Sequence, residues 1–199
     1  MENQNKLHQL YMQYERCENC SLSKTRTNIV FGDGNPNSDI VFIGEGPGYN
    51  EDIEGIPFCG AAGHLLDNYL DFAGASREDI YITNVVKCRP PNNRNPYAEE
   101  IKSCHEILKG QLDIISPKII VTLGNVATKV FLNLKEGITE LRGRWFEKNN
   151  YRILPMFHPA ALLRDPSKKR DTAHDFELLQ RHLILSRNRR VFVDKIKNL

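Results

Sequence analysis

Four short stretches of this chain are nearly uninterrupted apolar runs: Asp39–Gly44 (DIVFIG), Ile80–Val86 (IYITNVV), Lys118–Leu123 (KIIVTL) and Arg152–Phe157 (RILPMF). A strand with one face in water alternates apolar and polar positions. Runs without alternation, rich in Ile and Val, predict strands covered on both faces. Between them the period changes. Gly63–Ala73 carries Leu65, Leu66, Tyr69, Leu70 and Ala73 at helical spacing, and Pro96–Ile115 sets Ile101, His105, Leu108 and Leu112 on one stripe. Asn125–Leu132 predicts a shorter helix and Asp171–Arg187 a closing one. Pro96 at a helix start, and Gly74 and Gly124 near element ends, agree with these boundaries.

Strands alternating with helices predict an α/β fold: a three-layer α/β/α sandwich around a central, mainly parallel, four-stranded sheet. The chain, 1–199, reads as one domain. Residues 1–30 hold a helix and a cysteine-bearing segment, and 188–199 form a tail. Ligands of such sheets sit beyond the carboxyl ends of the strands. Three unusual segments fall there: Gly44–Asp52, Asn84–Asn95 and His158–Arg164.

The hydrophobic fraction is 40% and the charged fraction 26%, ordinary for a soluble globular chain. No apolar run approaches the ~20 residues of a membrane span. Met1–Arg16 is polar and lacks the apolar core of a signal peptide, so an intracellular, unprocessed protein with no membrane partner is expected. Charge is uneven: residues 1–141 hold 13 Lys+Arg and 19 Asp+Glu, whereas 142–199 hold 14 and 6. The basic last third suits either a polyanionic partner or a solvated helix face.

The five cysteines are Cys17, Cys20, Cys59, Cys88 and Cys104. An odd number in an intracellular chain argues against a disulfide framework. Cys17 and Cys20 form a C-x2-C pair, and Cys88 and Cys104 supply two more thiols. Four thiolates suit zinc or a [4Fe–4S] cluster, and spacing does not choose between them. Either would clamp the N-terminal segment to the loop after the second strand. Cys59 reads as a small apolar filler.

The chemistry-bearing segments are short. Gly44-Glu45-Gly46-Pro47-Gly48, running on to Glu51 and Asp52, lets backbone approach a ligand, yet Tyr49 and Pro47 spoil a dinucleotide fingerprint. Asn84 stands where a strand ends; its amide offers one donor and one acceptor, enough to read a base edge. His158 opens a loop, HPAALLR, and can donate to a developing anion. The leucines and arginine after it suit a wedge into a base stack beside a phosphate.

Together these segments resemble the family 4 uracil-DNA glycosylases, the iron–sulfur branch of the uracil glycosylase superfamily. The likeness runs from about Cys17 to the last helix, through CENC, GEGPG with the following ED, GIPFCGAAG, ITNVVKCRPPNNRNP and MFHPAALLR. It implies a structural [4Fe–4S] cluster on Cys17, Cys20, Cys88 and Cys104. It also implies excision of uracil from single- or double-stranded DNA by hydrolysis of the N-glycosidic bond, with the base flipped from the stack. Phe58 then stacks on the base, Asn84 pairs with its N3–H and O4, and Glu51 crowds C5. His158 donates to O2, with the Gly46 N–H as a further donor, and Glu45 positions water or stabilises the sugar cation. Leu162, Leu163 and Arg164 are the expected wedge. Arg142, Arg144 and Lys168–Arg170 are the expected phosphate contacts, and the enzyme is expected to act as a monomer. Family members often carry valine at Cys59, lysine at Ala61 and glutamine at His64, which leaves an altered-base glycosylase as a rival. A non-catalytic or covalently trapping uracil binder, and an iron–sulfur electron carrier, are the others.

Overall fold

The computed structural model describes residues 2–197. All four expected strands form: β2 (Ile40–Gly44), β3 (Tyr81–Asn84), β4 (Ile119–Leu123) and β6 (Tyr151–Met156). They pair in parallel. Two strands that the apolar pattern does not show close the sheet at its edges: β1 (Asp33–Gly34) and β5 (Phe146–Lys148). The order is β1-β3-β2-β4-β6-β5, with both edge strands antiparallel. At two and three residues, mostly polar and half-exposed, they are too short to carry a period.

Alternate side chains of each parallel strand feed two separate cores, which is what makes the molecule three-layered. Val41 and Ile43 of β2 pack with Leu7, Ile107, Leu108 and Leu112 on one face. Ile40 and Phe42 pack with Leu66, Leu70, Phe176 and Leu179 on the other. The first face is covered by α1 (Glu2–Tyr14), α4 (Ala98–Ile115) and α5 (Asn125–Leu132). The second is covered by α3 (Ala61–Phe72) and α8 (Lys169–Lys197). The short helices α2 (Tyr49–Glu54), α6 (Ile138–Leu141) and α7 (Pro159–Arg164) lie in connections.

Helix α8 begins two residues before the expected Asp171 and runs beyond Arg187 to Lys197, so most of the expected tail is helical. Residues 198 and 199 of that tail lie outside the described residues. Strand β3 stops at Asn84, short of the expected Val86. There the chain leaves the sheet, although Val85 N–H still donates to Gly44 O (2.9 Å) and Val86 N–H to Glu45 O (3.2 Å). That departure carries the next residues toward the cysteines.

Candidate active site

Beyond the carboxyl ends of β2, β3, β4 and β6 lies a cavity of about 440 Å³. Its lining joins all three unusual segments: Glu45, Gly46 and Glu51; Asn84 and Arg94; His158 and Arg164. Phe58 completes the wall.

The floor is set by a close approach of two strand ends. Gly44 and Asn84 are register partners across β2 and β3. A Cβ on Gly44 would stand 2.4 Å from Asn84 Oδ1 and 2.7 Å from Phe58 Cζ, so only glycine lets the amide and the ring share the floor. Asn84 is 1% exposed. Its Oδ1 is the one buried side-chain polar atom without a hydrogen-bond partner among the described residues. Burying an acceptor unpaired costs about 1–3 kcal/mol, so such an atom signals a partner that arrives with a ligand.

Phe58 sits at φ 53°, a conformation unfavourable for a bulky side chain. Arg77 holds it there. Its Nη2–H donates to Phe58 O and its Nη1–H to Pro57 O (3.1 Å), while its Nε–H donates to Asp67 Oδ1 (2.6 Å). Glu51 joins the two loops that frame the ring: Gly48 N–H and Gly60 N–H each donate to one of its carboxylate oxygens at 3.0 Å. Its neighbour Asp52, 3% exposed, accepts from Thr27 N–H at 2.9 Å and so pins the segment after the cysteine pair. Nothing in the sequence singled out Arg77 or Asp52 for these tasks.

His158 caps the first turn of α7. Its Nδ1 accepts from Ala160 N–H (3.2 Å), which leaves Nε2 carrying the proton. Burial, then the Arg164 charge, push its pKa down to about 4, so the ring is a neutral donor at physiological pH. It lies stacked against Phe58, with ring centroids 5.5 Å apart. Burial raises the pKa of Glu45 above the ordinary carboxylate value, and Arg164 opposes the rise. Arg164 thus faces both acid–base groups from the mouth. A Cβ at Gly46 would come within 2.7 Å of Val86 Cγ2, so a side chain there would have to push the Val86 methyl aside.

Two expectations about the mouth are corrected. HPAALLR is not a loop but the helical turn α7, and its geometry parts the two leucines. Leu162 is fully buried with Ile138 and Phe157, so it is core and not wedge. Leu163 is 50% exposed and can serve. Arg142 is likewise committed: its Nε–H donates to Asp175 Oδ2 (2.8 Å), and its Nη2 pairs with the other oxygen of that fully buried carboxylate. Tied to α8 in this way, it is not free to meet a phosphate. Arg144 is exposed, with its guanidinium 5.6 Å from the Phe146 ring centroid. Cys59, Ala61 and His64 do not line the cavity; Ala62 does.

The remaining cysteines meet at a second place. Cys17, Cys20, Cys88 and Cys104 line one small hollow with Arg26 and Lys87. Burial raises the Cys88 pKa to about 11, and Arg26 lowers it while Cys104 and Cys20 raise it further. Burial also raises Cys104, which Lys87 lowers and which Cys20 and Cys17 raise. Cys104 therefore lies within electrostatic reach of the other three thiols, and Cys88 of Cys20 and Cys104. Arg26 Nη1–H donates to Cys17 O (2.7 Å) and reaches Cys88 Sγ (3.6 Å). Among the described residues, no three His, Cys, Asp or Glu side chains converge on a single-ion site.

Comparison with known proteins agrees with this geometry. Residues 31–181 match the family described as the uracil DNA glycosylase superfamily. A type-4 uracil-DNA glycosylase of Sulfurisphaera tokodaii is 46% identical over 173 residues, 82% of this chain and 79% of that protein. One from Thermotoga maritima is 47% identical over 159 residues, 78% and 82% of the two chains. One from Archaeoglobus fulgidus is 44% identical over 169 residues, 81% and 85%. The match spans the sheet and every segment that lines the cavity, and the chain belongs to the uracil-DNA glycosylase superfamily.

Proposed function

We propose that this protein is a DNA-repair glycosylase that removes uracil from DNA, taking the base flipped out into the cavity and hydrolysing its N-glycosidic bond. The observation that carries this is the unpartnered acceptor Asn84 Oδ1 at the floor, beside Phe58 and His158. Uracil offers an N3–H donor next to the O4 acceptor, which one amide satisfies in two bonds. Cytosine presents an acceptor and an amine there and leaves the buried amide mispaired, a penalty sufficient for strong discrimination. Phe58 supplies the stacking face. Glu51 crowds C5 and so rejects the thymine methyl.

Cleavage builds negative charge on the departing base and positive charge on the deoxyribose. His158 Nε2–H donates to O2 of the base as that charge develops, and the Gly46 N–H adds a second donor. Glu45, drawn toward both protonation states by burial and by Arg164, orients the water or stabilises the sugar cation. A neutral imidazole is suited to this because its proton stays in place while the anion forms. Leu163 fills the stack behind the flipped nucleotide, and Arg164 and Arg144 contact phosphates; Lys168–Arg170 extend the basic rim.

The four clustered thiols fit a [4Fe–4S] centre. They share one hollow, Arg26 reaches Cys88 Sγ there, and the likeness to the iron–sulfur family favours the cluster over zinc. The centre would supply a fold-organising crosslink, holding the N-terminal segment to the strand end that bears Asn84. The test is excision from single- and double-stranded oligonucleotides carrying uracil, thymine or hypoxanthine, with Asn84→Ala beside the parent. Release of uracil by the parent and its loss in Asn84→Ala are expected. No uracil release, or release unaffected by the substitution, overturns the reading. Purified protein is expected to be yellow-brown and to contain iron; colourless, zinc-loaded protein overturns the cluster.

A further inference from the structure

Between the thiol hollow and the base-reading floor lies Lys87, and the mechanism above does not use it. It is 1% exposed. The titratable groups that act on it are the thiols of Cys104 and Cys88. Taking an amine out of water is costly unless it is hydrogen-bonded in the fold. Lysine inside the apolar run VVKC is also the one residue there that simple strand patterning does not explain.

Every polar group of this residue is engaged. Its N–H donates to Cys104 Sγ (3.3 Å), and its carbonyl accepts from Val30 N–H (2.8 Å). Its ammonium donates to Thr83 Oγ1 (2.6 Å) and to Asn84 O (2.7 Å). One residue therefore touches a cysteine ligand, the N-terminal segment and the backbone of the residue that reads the base. Asn84 ends its strand, and its side-chain oxygen has no protein partner. The Lys87 ammonium bond is a side-chain bond to the Asn84 backbone, at the point where the strand ends.

We propose that Lys87 is a positioning residue. Held beside the cysteine thiolates, it fixes the Asn84 backbone and so aims the Asn84 amide at uracil N3–H and O4. The inference rests on the reading that Asn84 recognises the base and that the four cysteines hold the cluster. Lys87 in turn transmits the placement of the cysteine loop to the pocket floor. It touches no reacting atom.

The test uses iron-loaded Lys87→Met, Lys87→Gln and Asn84→Ala proteins, with iron content and absorbance near 400 nm confirming loading. Single-turnover excision, KM for a uracil oligonucleotide and affinity for free uracil are measured on each. In Lys87→Met the amide loses its aim. The excision rate is expected to fall on the order of 10²-fold, the scale of a small misplacement at a reacting centre. Free-uracil affinity should weaken on the order of 10-fold, the loss of about one hydrogen bond. KM should stay close to that of the parent, because DNA docking is untouched. Lys87→Gln keeps a donor for Asn84 O without the charge, and is expected to recover much of the rate and of the uracil affinity. A loaded Lys87→Met that excises and binds uracil like the parent overturns the proposal, as does an equal loss in both variants. Should Lys87→Met fail to fold or to hold iron, Lys87→Gln carries the test: parent-like iron with a rate as low as Asn84→Ala would overturn it. An undiminished Asn84→Ala would instead bring down the reading of the pocket.

Discussion

At the floor of the cavity, Gly44, Asn84 and Phe58 meet at distances that leave no room for one added carbon. At its mouth, Leu163 and Arg164 stand on one helical turn, exposed to solvent. The floor is built by parallel strand ends whose register is fixed through the whole sheet. The mouth is carried by six residues of α7, held down by Leu162. The difference teaches where each kind of function can live. Discrimination between bases needs groups placed to fractions of an ångström, which only the close-packed sheet end supplies. Contact with DNA needs reach and charge, which an exposed turn supplies without such constraint.

Substitutions can break that division of labour, and the largest effects are expected at the floor. His158→Ala should cut single-turnover excision roughly 10²–10³-fold, the usual loss for a preorganised donor, with DNA affinity nearly unchanged. Equal loss in both would make His158 a docking group and erase the contrast. Gly44→Ala should cost on the order of 10²-fold in excision, since its Cβ would drive Asn84 and Phe58 apart; a parent-like rate would show the floor to be pliant.

The two leucines of α7 sharpen the comparison at its boundary. Leu162→Ala should lower stability by about 2–5 kcal/mol in denaturant unfolding, as a core cavity does. Leu163→Ala should leave the unfolding midpoint in place and weaken excision from duplex more than from single strands, because only a duplex needs its stack refilled. The smallest effect is expected for Arg164→Ala: a salt dependence of DNA binding shallower by about one in log–log slope.

Acidity tests the burial of the floor as well. The imidazole of His158 titrates at about 4 in the fold against 6.5 ordinarily, so the unfolded chain takes up the proton first. Its contribution to stability is complete above about pH 6.5 and is lost as pH falls toward 4. Excision followed from pH 5 to 8 should therefore show no limb that the His158→Ala substitution removes. A limb near 6.5 that vanishes in His158→Ala would show the ring to be solvated.

The sequence by itself determined the layers and the strands that matter. Ile- and Val-rich runs can be satisfied only between two covering faces, and each was found within two residues of its expected place. It also determined which segments reach the sheet's carboxyl edge, because that edge follows from strand direction alone. The meeting of CENC with Cys88 and Cys104 was suggested by the C-x2-C pair and the family resemblance, and the four line one hollow. The edge strands stayed hidden because two or three residues cannot display a period. Only the tertiary structure decided between Leu162 and Leu163, because adjacent apolar residues on a short turn face opposite ways. Only it could pair Arg142 with Asp175, clamp Phe58 with Arg77, or set Lys87 between the cysteines and Asn84. Those are contacts between distant or out-of-pattern positions. A linear pattern records what each residue can do, and packing selects which partner it meets.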